Sequence, residues 1–114
     1  MTQKDIISKI GKTDETLRVG INGTIAKIRE IKTGDYIRWI FTEDKKILLK
    51  KVPTGEENKK IPGINQVVKI STNHRISIPR VIEVAAKIRE KDQIIWSLPD
   101  NNTDTINAEI KHDE

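Results

Sequence analysis

The chain states one pattern twice, 57 residues apart. Aligned to itself without a gap, residues Leu17–Leu49 match His74–Ile106 at Arg18/Arg75, Ile21/Ile78, Ile25/Ile82, Ile31/Ile88, Asp35/Asp92, Ile37/Ile94 and Trp39/Trp96. Upstream, the same offset pairs Ile7 with Ile64, Ile10 with Val67 and Lys12 with Lys69. A repeat of this length means two copies of one supersecondary unit. A unit of about fifty residues buries too little apolar surface to be stable by itself, so the two copies are expected to share a core.

Isoleucine decides the class of that core. The chain has 21 Ile against 4 Leu, and a β-branched side chain is stiff at χ1 and packs well on a pleated sheet. The second copy reads as a strand at Gln66–Ser71, a turn at Thr72–His74, and a short strand at Arg75–Ile78. Pro79 then opens a helix whose apolar face is Ile82, Ala85, Ala86 and Ile88. A strand follows at Gln93–Leu98, with a turn at Pro99–Asn102 and a weaker strand at Thr105–Ile110. The first copy repeats the order. Asn22 is its helix N-cap, Ile25, Ile28 and Ile31 its helical face, and Tyr36–Phe41 with Lys46–Val52 a hairpin across Thr42–Lys45. The domain plan is a first repeat at 5–52, a linker at 53–63, a second repeat at 64–110 and a disordered tail at 111–114. Extended, the eleven linker residues reach roughly 35 Å.

Charge is placed unevenly. Residues 1–52 carry 12 basic and 7 acidic side chains, residues 64–98 carry 6 and 3, and residues 99–114 carry 1 and 5. A basic body with an acidic end suits a polyanionic partner. There is no cysteine, hence no disulfide, thiolate ligand or thiol nucleophile. Nor is there an apolar run long enough to span a bilayer. The chain therefore reads as cytoplasmic, with no membrane role. The two histidines, His74 and His112, form no ligand cluster, and no phosphate loop or nucleophile motif is present. No enzyme activity and no cofactor are expected.

The run Arg75-Ile-Ser-Ile-Pro79, a short helix, Lys91-Asp92 and a strand resemble the swapped-hairpin β-barrel family of AbrB, SpoVT and MazE type. Arg75, Ile76, Ile78, Pro79, Ile82, Ile88 and Asp92 fall on its pattern in the second copy, and Arg18, Val19, Ile21, Ile25, Ile31, Gly34 and Asp35 in the first. The resemblance implies a mostly β fold with short helices, a swapped-hairpin AbrB-like β-barrel formed by two tandem β-β-α-β-β units. It also implies a DNA-binding transcriptional regulator whose partner is double-stranded DNA, closed as an intramolecular pseudo-dimer or as a homodimer of chains. Two departures are plain. Asn22 stands where the family has proline, and the family's arginine pair after the proline is replaced by Glu83 and Val84 in one copy and by Ala26 and Lys27 in the other.

The candidate DNA-binding residues are Arg18, Arg75, Lys12, Lys69, Lys27, Arg80 and His74. Arg18 and Arg75 enter the second strand of each unit, where a guanidinium forks onto phosphate or guanine; the plainer alternative is a strand arginine paired to Asp14, Glu15 or Asp92. Lys12, Lys69, Lys27, Arg80 and His74 are read as phosphate contacts against the alternative of an ordinary solvated surface. Trp39 and Trp96 read as core. Asp35 and Asp92 read as carboxylates bonding nearby backbone N–H groups at the helix-to-strand turn. A second functional reading is an antitoxin-like protein-interaction module in which the acidic C-terminal segment, Asp100–Glu114, wraps a toxin partner.

Overall fold

The computed structural model describes residues 6–99 and 104–113; from residue 100 on, the turn expected at Pro99–Asn102 lies outside them. The first half of the chain forms β1 (Ile6–Lys9), β2 (Gly11–Thr13), β3 (Thr16–Gly20), α1 (Gly23–Ile28), β4 (Tyr36–Phe41) and β5 (Ile47–Val52). The second forms β6 (Ile64–Lys69), a 3-10 turn at Thr72–His74, β7 (Arg75–Ser77), α2 (Arg80–Ala86), β8 (Gln93–Ser97) and β9 (Thr105–Lys111). The expected mostly β class with short helices is observed. The described strands form two separate sheets and no closed barrel: one of six strands in the order β1-β8-β9-β5-β4-β6, and one of three in the order β2-β3-β7.

Both sheets are built from both halves. β1 pairs with β8 and β6 with β4, so each half's first strand completes the other half's side of the sheet. β3 lies antiparallel to β7 with Val19 opposite Ile76, and β5 lies antiparallel to β9 with Leu49 opposite Ile106. In each of these pairs the two residues are separated by 57 positions. A residue can face its own equivalent across an antiparallel ladder only where a two-fold axis passes between the strands. The repeat is thus expressed as a pseudo-dyad running through Val19/Ile76 and Leu49/Ile106, all four of them buried.

Equivalent helices start at equivalent positions and stop by the same motif. Asn22 and Pro79 stand at the two N-termini; the Asn22 side chain accepts from Thr24 N–H and Ile25 N–H, whereas Pro79 caps with no side-chain bond. Pro79 therefore precedes the helix instead of beginning it. Both helices close with a paired motif in which Ile31 N–H donates to Ala26 O (2.8 Å) and Ile88 N–H to Glu83 O (2.9 Å). Glu30 and Lys87, each with φ near 55°, make the left-handed turn. Ile31 and Ile88 are consequently buried from the loop beyond each helix, and Ile28, expected on the apolar face, is the last helical residue and 54% exposed.

The 57-residue register fails upstream of Leu17. Lys9 faces Gln93 and Lys69 faces Tyr36, and since Tyr36 and Gln93 are equivalents, the counterpart of Lys69 is Lys9, not Lys12. Gly11 pairs with Arg18 as Ser71 bridges to Arg75. The offset in the first strand is therefore 60, because the first half turns through a three-residue longer hairpin that makes room for β2. The tail also differs from expectation. Lys111 ends β9, opposite Gln93, and His112 and Asp113 bond Asp92, so residues 111–113 are tied to the fold.

Trp39 and Trp96 are the largest side chains of the core, 0% and 1% exposed. Their indole N–H groups fare differently. Trp96 Nε1 donates to Ser8 Oγ at 2.8 Å, while Trp39 Nε1 is buried with no acceptor among the described residues. The shifted register explains this, because the counterpart of Ser8 is Val68, which carries no acceptor. Ser8→Ala should leave Trp96 in the same state and lower stability by about 1–3 kcal/mol, read as an earlier urea midpoint with an unchanged slope.

Candidate functional site

The three-stranded sheet gathers the two residues that the repeat singled out. Leu17, Val19 and Ile76 turn into the core, so the alternate positions Arg18, Gly20, Arg75 and Ser77 share the outer face. Arg18 lies opposite Ser77 and Gly20 opposite Arg75, which sets the two arginines diagonally across the β3–β7 ladder, one on each side of the pseudo-dyad. Among the described residues neither guanidinium has a hydrogen bond or an ion pair, and the expected alternatives Asp14, Glu15 and Asp92 do not pair with them. Arg18 Nε is buried without an acceptor. Arg75 is exposed. Gly11 and Gly20 on the same face leave open space where a side chain would stand.

The other expected residues divide. His74 is half-buried at the turn entering β7, with φ 57°, and its carbonyl accepts from Ile21 N–H at 2.9 Å, so it borders the arginine face. Lys12 is exposed on the edge strand β2, in register with Leu17 and thus on the sheet's other face. Lys27 is exposed on α1. Arg80, on the first turn of α2, is 80% exposed and lies 3.7 Å from Glu83 Oε2. Lys69 belongs to the six-stranded sheet, where its Nζ sits 6.0 Å from the centre of the Tyr36 ring.

One buried cation was not anticipated. Arg38, on β4, is 8% exposed; its Nη1 donates to Asn65 Oδ1 (2.7 Å) and its Nη2 to the Lys59 carbonyl (2.6 Å), fastening the linker to the sheet. Its equivalent in the repeat is Ile95. The only signal in the sequence is that mismatch between arginine and isoleucine within otherwise matching strands.

The two aspartates act as expected and then diverge. Asp35 Oδ2 accepts from Lys32 N–H and Asp92 Oδ2 from Arg89 N–H, both at 2.9 Å. Asp35 remains about a third exposed beside Lys51 Nζ at 3.5 Å. The Asp92 side chain is 1% exposed and takes two more partners from the chain end, His112 Nδ1 (2.9 Å) and Asp113 N–H (2.8 Å). Burial by itself raises the pKa of that carboxyl, but the bonds from Asp113 N–H, Arg89 N–H and His112, together with the His112 charge, outweigh it and hold the pKa below its ordinary value. No group of three or more His, Cys, Asp or Glu able to hold a metal occurs among the described residues. No described helix is long and apolar enough to cross a membrane.

Comparisons with known proteins found no matching family model, no matching curated protein and no matching solved structure.

A carboxylate with a depressed folded-state pKa adds stability above its unfolded value, roughly 3.9, and loses that contribution as pH falls through the folded value. Asp92→Asn keeps the shape but offers an NH2 where donors converge. It should cost about 1–3 kcal/mol at neutral pH and flatten the acid limb of the stability profile. Asp35→Asn, at the more exposed twin position, should cost less in the same chemical-denaturation series.

Proposed function

We propose that this chain is a DNA-binding transcriptional regulator in which two tandem AbrB-like units close on each other as an intramolecular swapped-hairpin pseudo-dimer. The observation that carries the reading is the outer face of the three-stranded sheet. It presents Arg18 from one half and Arg75 from the other, related by the pseudo-dyad and without competing carboxylates among the described residues. An antiparallel ribbon of this kind has the width that the major groove admits, and a protein dyad is met on duplex DNA by a palindromic site. The exchange of first strands between halves supports the swapped arrangement. Arg18 and Arg75 then supply the central contacts and His74 flanks them. Lys12, Lys27 and Arg80 lie outside that face and contribute through the surrounding field.

Because the dyad is approximate, the preferred site is an imperfect palindrome. Arg18 is partly buried while Arg75 is exposed, so the two half-sites are read unequally. The antitoxin-like reading ranks second: of the segment Asp100–Glu114 that motivates it, residues 105–111 form an inner strand of the six-stranded sheet and His112 and Asp113 hold Asp92.

Fluorescence anisotropy with a labelled mixed-sequence duplex tests the proposal. Binding should weaken steeply between about 50 and 200 mM salt, as counterion release requires. Arg18→Ala and Arg75→Ala should each lower affinity and reduce the log–log salt slope by about 1 if the residue meets a phosphate. A duplex that fails to bind at low salt would sink the reading, and tighter binding of single-stranded or duplex RNA to the same face would redirect it.

A further inference from the structure

The pseudo-dyad allows a surface of one half to be compared, residue by residue, with its equivalent in the other. Where the tip of the β4–β5 hairpin, the end of α2 and strands β8 and β9 meet, a cleft of about 930 Å3 opens. Phe41, Leu48, Ala85, Ala86 and Ile110, all partly accessible, form the apolar part of its wall, and Ser97 and Asn107 add polar groups to it. Lys45, Lys46, Lys87 and His112 stand exposed around the rim, with Glu109 the one carboxylate in the lining.

The equivalents of Ala85 and Ala86 are Ile28 and Arg29. Arg29 Nε donates to the carbonyl of Thr105 at 3.1 Å, and Thr105 is the equivalent of Leu48 in the cleft wall. In the first half, then, the residue at this position is a long side chain reaching from the helix end to the neighbouring strand. In the second half it is a methyl group, and the space it leaves is the mouth of the cleft. The sequence of the β4–β5 turn differs as well: at the 57-residue offset Lys45 and Lys46 align with the uncharged Asn102 and Thr103. Truncation of the crossing residue and addition of positive charge therefore fall on the same side. A cleft of this volume that sets an apolar patch beside a cluster of cations has the two parts that an amphiphilic anion needs.

We infer that this cleft binds a small amphiphilic anion. Its aliphatic or aromatic body would lie against Phe41, Leu48, Ala86 and Ile110, with a carboxylate or sulfonate head among Lys45, Lys46 and Lys87. The site is separate from the arginine face and does not depend on DNA binding.

The probe is 1-anilinonaphthalene-8-sulfonate, an aromatic body with one anionic head, titrated into the intact chain. The expected result is blue-shifted, saturable fluorescence with one site per chain and a dissociation constant between micromolar and about 1 mM. Decanoate should displace it, whereas decanol should do so poorly and inorganic phosphate not at all. Ala86→Met, which fills the space with an uncharged side chain, should weaken binding about tenfold or more without lowering the thermal midpoint. If that variant does not fold, the double substitution Lys45→Glu with Lys46→Glu, on the exposed hairpin tip, should weaken the anionic probe to a similar degree. No saturable signal in the wild-type protein, or undiminished binding by a folded Ala86→Met variant or by the charge-reversed one, would overturn the assignment.

Discussion

The fold depends on two places where the chain pairs with its own repeat: Val19 against Ile76 and Leu49 against Ile106. Each contact sits at the centre of an antiparallel ladder, so it satisfies backbone groups and buries β-branched or leucine side chains in one step. Taken alone, either half would leave both of those ladders open and the core isoleucines around them wet. The exchange of β1 and β6 carries the same logic to the sheet edges, where each half supplies the strand that the other lacks. Neither half is a domain in the sense of owning its core. The unit of stability is the whole chain.

In an assembly of two identical subunits, every substitution acts at two places. Joining the copies in one chain removes that restriction, and the differences mark where it has been used. Trp96 has Ser8 as its acceptor, and the position equivalent to Ser8 beside Trp39 is Val68. Asp92 is sealed by the end of the chain, while Asp35 rests in partial contact with water and Lys51. Arg29 crosses to the next strand, and Ala86 does not. Arg38 anchors the linker, at a position where the other half keeps isoleucine. Each pair shares a backbone geometry but differs in chemistry, and the pseudo-dyad consequently organises the fold without making the two surfaces alike.

Much of this was legible in the residues. Matching isoleucines, tryptophans and aspartates located the second strand, the helix and the hairpin of each unit, because those positions answer to local periodicity and to turn chemistry. An ungapped comparison cannot detect a turn lengthened by three residues, so it matches Lys69 with Lys12 of β2 although the strand pairing makes Lys9 of β1 its counterpart. The i, i+3 spacing of Ile25 and Ile28 suggests one apolar face, but Ile28 is the last helical residue and exposed, and the left-handed turn at Glu30 brings Ile31 into the core instead. The partners of Asp92 were out of reach for a different reason. His112 and Asp113 are twenty residues away and look like a polar tail until β9 sets them beside the carboxylate. For the candidate site, the sequence named both arginines, but only the register of β3 on β7 put them on one face and left Lys69 on another sheet.

The pairing of β1 with β8 bears on how the protein is made. Synthesis proceeds from the N-terminus, so Ile6–Lys9 has no sheet partner until Trp96 and its neighbours have followed. Until β8 has been made, the first half presents unpaired strand edges beside apolar side chains, which is the template that misassociation between nascent chains uses. The intertwining that makes the finished molecule a single unit is thus also a demand on its early life: β1 must wait for β8.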